Sequence, residues 1–287
     1  VKAEIFFKIA ECYRLTSNTK QSEGWYEKVI KAKYPDPIAY LYYAEAMKAN
    51  GNYAEAIVQY NKYKQEVPSD PRGGDGAKSC ELAQQWKDKP SRFKAENAAA
   101  LNSKFADLAP AYSKKGYSGL LFTSSREEAT GKSYDASWSG EKNTDLFEAT
   151  VDKKNKWSKP EPVPAPVSTG EKEGTASMNR KYGIMYFTRC LEGEDKTISC
   201  KLYAATRKGT AWDEPVVLSF CSDTFTYGQP SLSADEQNLY FVSDKDGGFG
   251  GRDIWVSPFN KKEKTWKDPV NLGPNINTAD DEMFPFI

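Results

Sequence analysis

Apolar residues follow two different periods along this chain. Up to about residue 87 they recur every three to four positions, the spacing of one helix face. Phe6, Ile9, Ala10 and Tyr13 form a first stripe, and Ser22, Tyr26 and Val29 mark a second. Tyr40, Tyr43, Ala44 and Met47 form the next, Gly51 breaks it, and Tyr53, Ala56, Ile57, Tyr60 and Tyr63 follow before Pro68. Residues 71–87 predict one more helix, with Asp75 as its cap and Ala77, Leu82, Ala83 and Trp86 on its apolar side. From residue 105 the pattern changes to short aromatic-rich runs separated by turn residues, which predicts strands.

Both halves repeat. The 34 residues of 37–70 match the tetratricopeptide repeat, with small Ala44 and Ala56 where two helices must approach. One such unit cannot bury its own apolar face, so stacked units are expected. In the second half Trp157, Trp212 and Trp266 each open a Trp-x-x-Pro. Upstream of them lie Asp145-Leu146-Phe147, Lys201-Leu202-Tyr203 and Asp253-Ile254-Trp255, and earlier still Phe122-Thr123-Ser124, Phe187-Thr188-Arg189 and Phe241-Val242-Ser243. Four short strands per unit is the pattern of a propeller blade. Residues 283–287 read as the first strand of a fourth. The predicted fold is therefore multidomain, α plus β: a tetratricopeptide-repeat solenoid over 1–87, a linker over 88–104 with a short helix at Ala95–Leu101, and an incomplete antiparallel β-propeller over 105–287.

Composition narrows the chemistry. The 287 residues carry 40 basic and 40 acidic side chains and no histidine. Histidine-based nucleophilic triads, histidine-ligated zinc or copper and histidine pH switches are excluded. A net charge of zero gives no overall basic field for nucleic acid. Mean hydropathy is −0.72, and no run of residues is long and apolar enough to predict a transmembrane helix. Nothing predicts a cofactor or a resident metal. The chain opens at Val1 within a helical pattern, as a processed or partial chain would.

Several stretches are more specific. They are Asn102–Tyr112, Leu232–Asp235 with Leu239–Asp244, Gly247–Trp255, and Trp266–Thr278 with Asp281–Phe286. Together they resemble a Bacteroidota envelope lipoprotein family whose members carry tetratricopeptide repeats, a TolB/WD40-like propeller and an OmpA-like domain. Its PorE-type branch, associated with type IX secretion, is the most similar. That resemblance implies a non-enzymatic scaffold in the periplasm, attached to the outer membrane through a lipid anchor. It also implies protein partners, among them an outer-membrane protein and other secretion components. Peptidoglycan would be bound through the OmpA-like domain, which this sequence does not contain.

Candidate sites were weighed individually. In the repeat register, Phe7, Glu11 and Arg14, then Leu41, Glu45 and Lys48, would line a groove for an extended peptide or a partner helix. Cys190 and Cys200 flank a hairpin and could form a disulfide, with Cys221 as an alternative partner, whereas Cys12 and Cys80 sit too many helices apart. Asp244, Asp246 and Asp253 could hold calcium, or could simply shape a glycine-rich hairpin. Asp280, Asp281 and Glu282 could serve acid/base chemistry, or form a solvated loop. The expected protein is not an enzyme. Two alternatives stand beside that reading: a propeller hydrolase acting on glycan or peptide, and a propeller that senses a small ligand in its channel.

Overall fold

The computed structural model describes residues 1–131, 141–193 and 198–287. The chain divides into two compact units, Val1–Glu96 and Asn97–Ile287. The division falls inside the predicted linker.

The first unit is helical: α1 (Lys2–Leu15), α2 (Thr19–Lys31), α3 (Ile38–Ala49), α4 (Tyr53–Glu66) and α5 (Arg72–Asp88). The first four apolar stripes face inward, whereas Leu82 and Trp86 of the predicted stripe on α5 are exposed. Ala10, Tyr26, Val29, Leu41, Ala44 and Ala56 have no exposed surface, and Tyr60 has 2%. Burying side chains of Leu or Tyr size contributes roughly 1.5–3 kcal/mol each. The zero exposure of Ala44 and Ala56 marks where α3 and α4 come together, since only a small side chain fits a close helix crossing. Helix starts are fixed locally. The Asn18 side chain accepts a hydrogen bond from the Gln21 amide at 3.3 Å, capping α2. Gly51, at φ +85°, ends α3 in the left-handed conformation that costs glycine nothing.

The solenoid expectation is corrected here. The five helices pack in series, α4 against α5 as closely as α1 against α2, but α5 has no second helix after it to complete a third unit. Pro90 interrupts the chain, and the polar stretch beyond it carries no apolar stripe to bury. In place of a helix at Ala95–Leu101 there is one turn, closed by the Leu101 amide on the Ala98 carbonyl. The predicted cap is also displaced. Asp75 sits in the first turn of α5, and Asp70 accepts from the Arg72 amide at 2.9 Å.

The second unit contains three antiparallel sheets in a propeller-like series. Sheet one comprises β1 (Asp107–Tyr112), β2 (Gly119–Ser124), β3 (Asp145–Thr150) and β4 (Glu161–Pro162). Sheet two comprises β5 (Lys172–Met178), β6 (Ile184–Glu192), β7 (Ile198–Lys208), β8 (Ala211–Trp212) and β9 (Val216–Val217). Sheet three comprises β10 (Tyr227–Leu232), β11 (Asn238–Ser243), β12 (Asp253–Asn260), β13 (Thr265–Trp266) and β14 (Val270–Asn271). In each sheet the first three strands run in sequence order. The Trp-x-x-Pro repeat explains the fourth position. Trp157, Trp212 and Trp266 each make a short antiparallel pairing, and a two-residue strand resumes after the proline. Proline has no amide proton to donate, so it divides this outer edge into two pieces.

The first strand of every sheet carries a bulge. The register slips between Leu108 and Ala111, Gly174 and Ala176, and Gly228 and Ser231. Ala109, Thr175 and Gln229 take the left-handed conformation there, with φ of 50°, 45° and 56°. The rotation turns the Thr175 amide onto Thr123 Oγ1 at 2.7 Å, and the Gln229 amide onto Thr188 Oγ1 at 2.9 Å. The bulge of one sheet thus bonds to the second strand of the sheet before it. Phe284 adopts the same conformation, at φ 54°, and its amide donates to Gln229 Oε1. Residues 283–287 repeat the bulge without forming a regular strand.

Candidate functional site

The bulges leave an opening at one end of the sheet series. Leu108, Gly174 and Gly228 stand opposite Thr123, Thr188 and Val242 across the first two strands of the three sheets. These six positions line a cavity of about 460 Å³, within the range that small ligands occupy. The wall also includes Ser125, Glu141, Lys142, Lys172, Glu173, Arg252, Met283 and the Cys190–Cys200 disulfide.

Two carboxylates behave differently there. Glu141 is half-buried; its Oε2 accepts from the Ala106 amide at 3.1 Å and from the Ser125 hydroxyl. Those donors hold the carboxylate in place while part of it remains open. Glu173 has only 1% of its surface exposed. Arg189 Nε donates to its Oε1 at 2.8 Å, and the Thr169 hydroxyl does so at 2.6 Å. Burial pushes the Glu173 carboxyl up, Thr169 pulls it back, and the neighbouring Asp145 raises it further. Asp145 has no exposed surface, and its Oδ2 accepts from the Thr130 amide and hydroxyl. Its Oδ1 has no hydrogen-bond partner among the described residues.

The cations are similarly distinct. Lys142 donates to the Glu127 carbonyl at 3.0 Å. Arg252 is exposed, and its guanidinium makes no hydrogen bond or ion pair among the described residues. Its backbone is nonetheless fixed: the Arg252 amide donates to Asp281 at 2.8 Å, and its carbonyl accepts from the Glu282 amide at 2.7 Å.

The predicted partner-binding residues lie in the helical unit and do not form one surface. Leu41 has no exposed surface, so its proposed place in a groove is corrected: it belongs to the core between helices. Phe7 stacks on Tyr34 with centroids 4.5 Å apart. Arg14 holds Glu11 through two hydrogen bonds of 2.8 Å, and its guanidinium lies 4.2 Å from the Tyr42 ring centroid. The Arg14 bonds hold the Glu11 carboxyl below its usual range against burial, and the Tyr26 hydroxyl adds to their effect. Glu45 and Lys48 line a separate groove with Tyr60 and Arg72, where burial raises the Glu45 carboxyl.

The structure joins Cys190 to Cys200 and leaves Cys12, Cys80 and Cys221 as thiols. Burial raises the Cys221 thiol to about 11. The acidic candidates are committed to the backbone. Asp253 accepts from the Phe249 amide and from Asn271, and Asp244 from the Thr226 amide. Asp281 holds the Arg252 amide, and Glu282 the Thr278 amide. No group of three metal-ligating side chains occurs among the described residues. Sequence reasoning missed Ser125, Glu141, Glu173 and Arg252. They come together only through the register of the inner strands, which no local spacing reveals.

No family model matches this chain. No curated protein matches it either. Solved structures similar to it include a puromycin-hydrolysing peptidase of Mycobacterium tuberculosis, at 17% identity over 65% of this chain and 27% of that one, TM-score 0.37. A thermostable family-43 glycoside hydrolase matches at 10% identity over 61% and 56% of the two chains, TM-score 0.38. An α-L-arabinofuranosidase from Lactobacillus brevis matches at 13% over 62% and 57%, TM-score 0.38. This chain spans 27% to 57% of the length of those three proteins. The similar structures are hydrolases, which runs against the expected non-enzymatic scaffold. At TM-scores below 0.5 they assign no reaction, and the chemistry must come from the cavity itself.

Proposed function

We propose that the sheet unit is the substrate-binding body of a hydrolase acting on a glycan or a peptide, with the cavity as its substrate site. The observation that supports this most is Glu141: a half-buried carboxylate that accepts from the Ala106 amide and the Ser125 hydroxyl, on the wall of a cavity built from three sheets. In a chain without histidine a carboxylate is the natural candidate for proton transfer, and a general acid or base must reach its substrate. Glu141 meets that requirement, whereas Glu173 is sealed beneath the wall. Ser125, whose hydroxyl donates to Glu141, is the group such a base would polarise. The envelope location implied by the sequence resemblance remains part of this proposal. The Cys190–Cys200 bridge supports it, since disulfides persist in oxidising compartments.

The test is a turnover and binding screen of the full chain against glycans and peptides, run in parallel with Glu141→Gln. The expected result is hydrolysis of one class, reduced at least a hundredfold in the variant, with binding retained. Binding without turnover would remove the hydrolase and keep the ligand site. Neither binding nor turnover would remove both.

A further inference from the structure

The composition of the cavity discriminates between the two substrate classes. A sugar is recognised through several free hydrogen-bonding groups arranged around its ring. Two of the threonine hydroxyls at this site already bond the backbone. Thr123 Oγ1 accepts from the Thr175 amide, and Thr188 Oγ1 accepts from the Gln229 amide and shares a 2.7 Å bond with Thr175 Oγ1. Gln229 Oε1 accepts from the Phe284 amide. What these groups leave uncovered is apolar: Leu108, Val242, Met283 and the disulfide.

The wall also carries charge: Lys142, Lys172 and Arg252 with Glu141, and Glu173 paired with Arg189. Arg252 is the cation whose side chain makes no bond among the described residues, on a backbone pinned at both its amide and its carbonyl. A positioned guanidinium reads a carboxylate through two parallel hydrogen bonds. An apolar recess with an anion-reading rim suits a ligand that has both parts close together.

We propose that the cavity takes the C-terminal end of a peptide, an apolar side chain entering between the bulges and the terminal carboxylate lying against Arg252. This rests on the reading of the cavity as a substrate site and selects peptide over glycan within it. Arg252 serves as a specificity residue at the rim.

The test is calorimetric titration of the full chain with N-acetyl-alanyl-leucine, its C-terminal amide, and glucuronic acid. The free dipeptide acid is expected to bind at least tenfold more tightly than the amide, and glucuronic acid not to compete with it. Arg252→Gln should lower the acid's affinity at least tenfold and leave the amide's unchanged, and Arg252→Lys should restore part of the loss. Thermal melts of both variants confirm that the exposed substitution leaves the fold intact. Equal binding of acid and amide, no binding of either, or displacement by glucuronic acid would each overturn the proposal. Cleavage is read separately. A bound acid with no hydrolysable substrate would remove the hydrolase alone, and glycan hydrolysis without acid binding would remove the peptide specificity alone.

Discussion

Glu173 on β5 and Asp145 at the head of β3 are carboxyl groups with almost no solvent contact, side by side where the Glu173 amide donates to the Thr144 carbonyl, and burial raises the Glu173 carboxyl above its usual range. They tie sheet one to sheet two just behind the cavity wall. A raised carboxyl pKa means that the folded state holds its proton more tightly than the unfolded chain does. The stability this contributes is full below the unfolded value of about 4.5, and is lost as pH rises through the folded value. Glu173→Gln removes this titrating group. It is therefore expected to flatten the pH dependence of stability across that window, as measured by denaturant unfolding from pH 4 to 8. An unchanged profile would contradict the raised Glu173 carboxyl.

The matching pair in sheet one has the opposite sign. Arg126 Nη2 donates to Asp107 at 2.5 Å and to the Leu101 carbonyl at 2.7 Å, and its Nε donates to Ser124 at 2.9 Å. Burial pushes the Asp107 carboxyl up, but bonds from Ser124, Arg126 and Ser103 outweigh it and hold it below its usual range. This contribution is present above about 3.8 and is lost as pH falls through the folded value. Arg126→Ala leaves a buried carboxylate without its cation and should cost about 3–5 kcal/mol. Urea unfolding at pH 7 measures it.

Cys190 and Cys200 close a ten-residue separation between β6 and β7. Breaking the bond with reductant should destabilise the sheet unit by about 2–3 kcal/mol, the range expected for a short loop. Cys190→Ser should show the same loss without reductant and no further change with it. Paired thermal melts decide the matter.

Two glycines of the helical unit should respond in opposite directions. A Cβ at Gly76 on α5 would lie 2.3 Å from the Tyr60 ring, so Gly76→Ala is expected to cost about 1–3 kcal/mol. Gly24, exposed within α2, has nothing within 4 Å. Gly24→Ala should add about 0.5–1 kcal/mol through helix propensity. Chemical denaturation followed by circular dichroism gives both values.

Much of the fold was legible in periodicity, because burial imposes it residue by residue. Tyr26, Ala44, Ala56 and Tyr60 fall inside the helical core, and the aromatic runs around Phe122, Phe187 and Phe241 become second strands. The failures have a common cause. The solenoid reading took one well-matched helix pair as a unit of a stack, while the chain supplies only one unpaired helix after it. Leu41 was assigned to a surface from its repeat position, while its burial depends on neighbouring helices. The site was not legible: Glu141, Glu173 and Arg252 lie far apart in the chain, and bulges at Ala109, Thr175 and Gln229 aim the inner strands in a way that no turn motif announces. The Asp280–Glu282 run looked more chemical than it is, because loop carboxylates that bond amides resemble catalytic ones in a bare sequence.

The central claim is that the cavity between the inner strands admits the substrate. Gly228 lies on its wall, and a Cβ there would meet only Thr188, at an ordinary contact distance of 3.5 Å. Gly228→Ala should therefore be tolerated, while the ring of Gly228→Phe should extend into the open space. The decisive measurement is the affinity of the full chain for its screened ligand in these two variants, with melting temperatures as the folding control. The account predicts near-native binding by the alanine variant and at least a hundredfold loss in the folded phenylalanine variant. Undiminished binding with phenylalanine at 228 would contradict it.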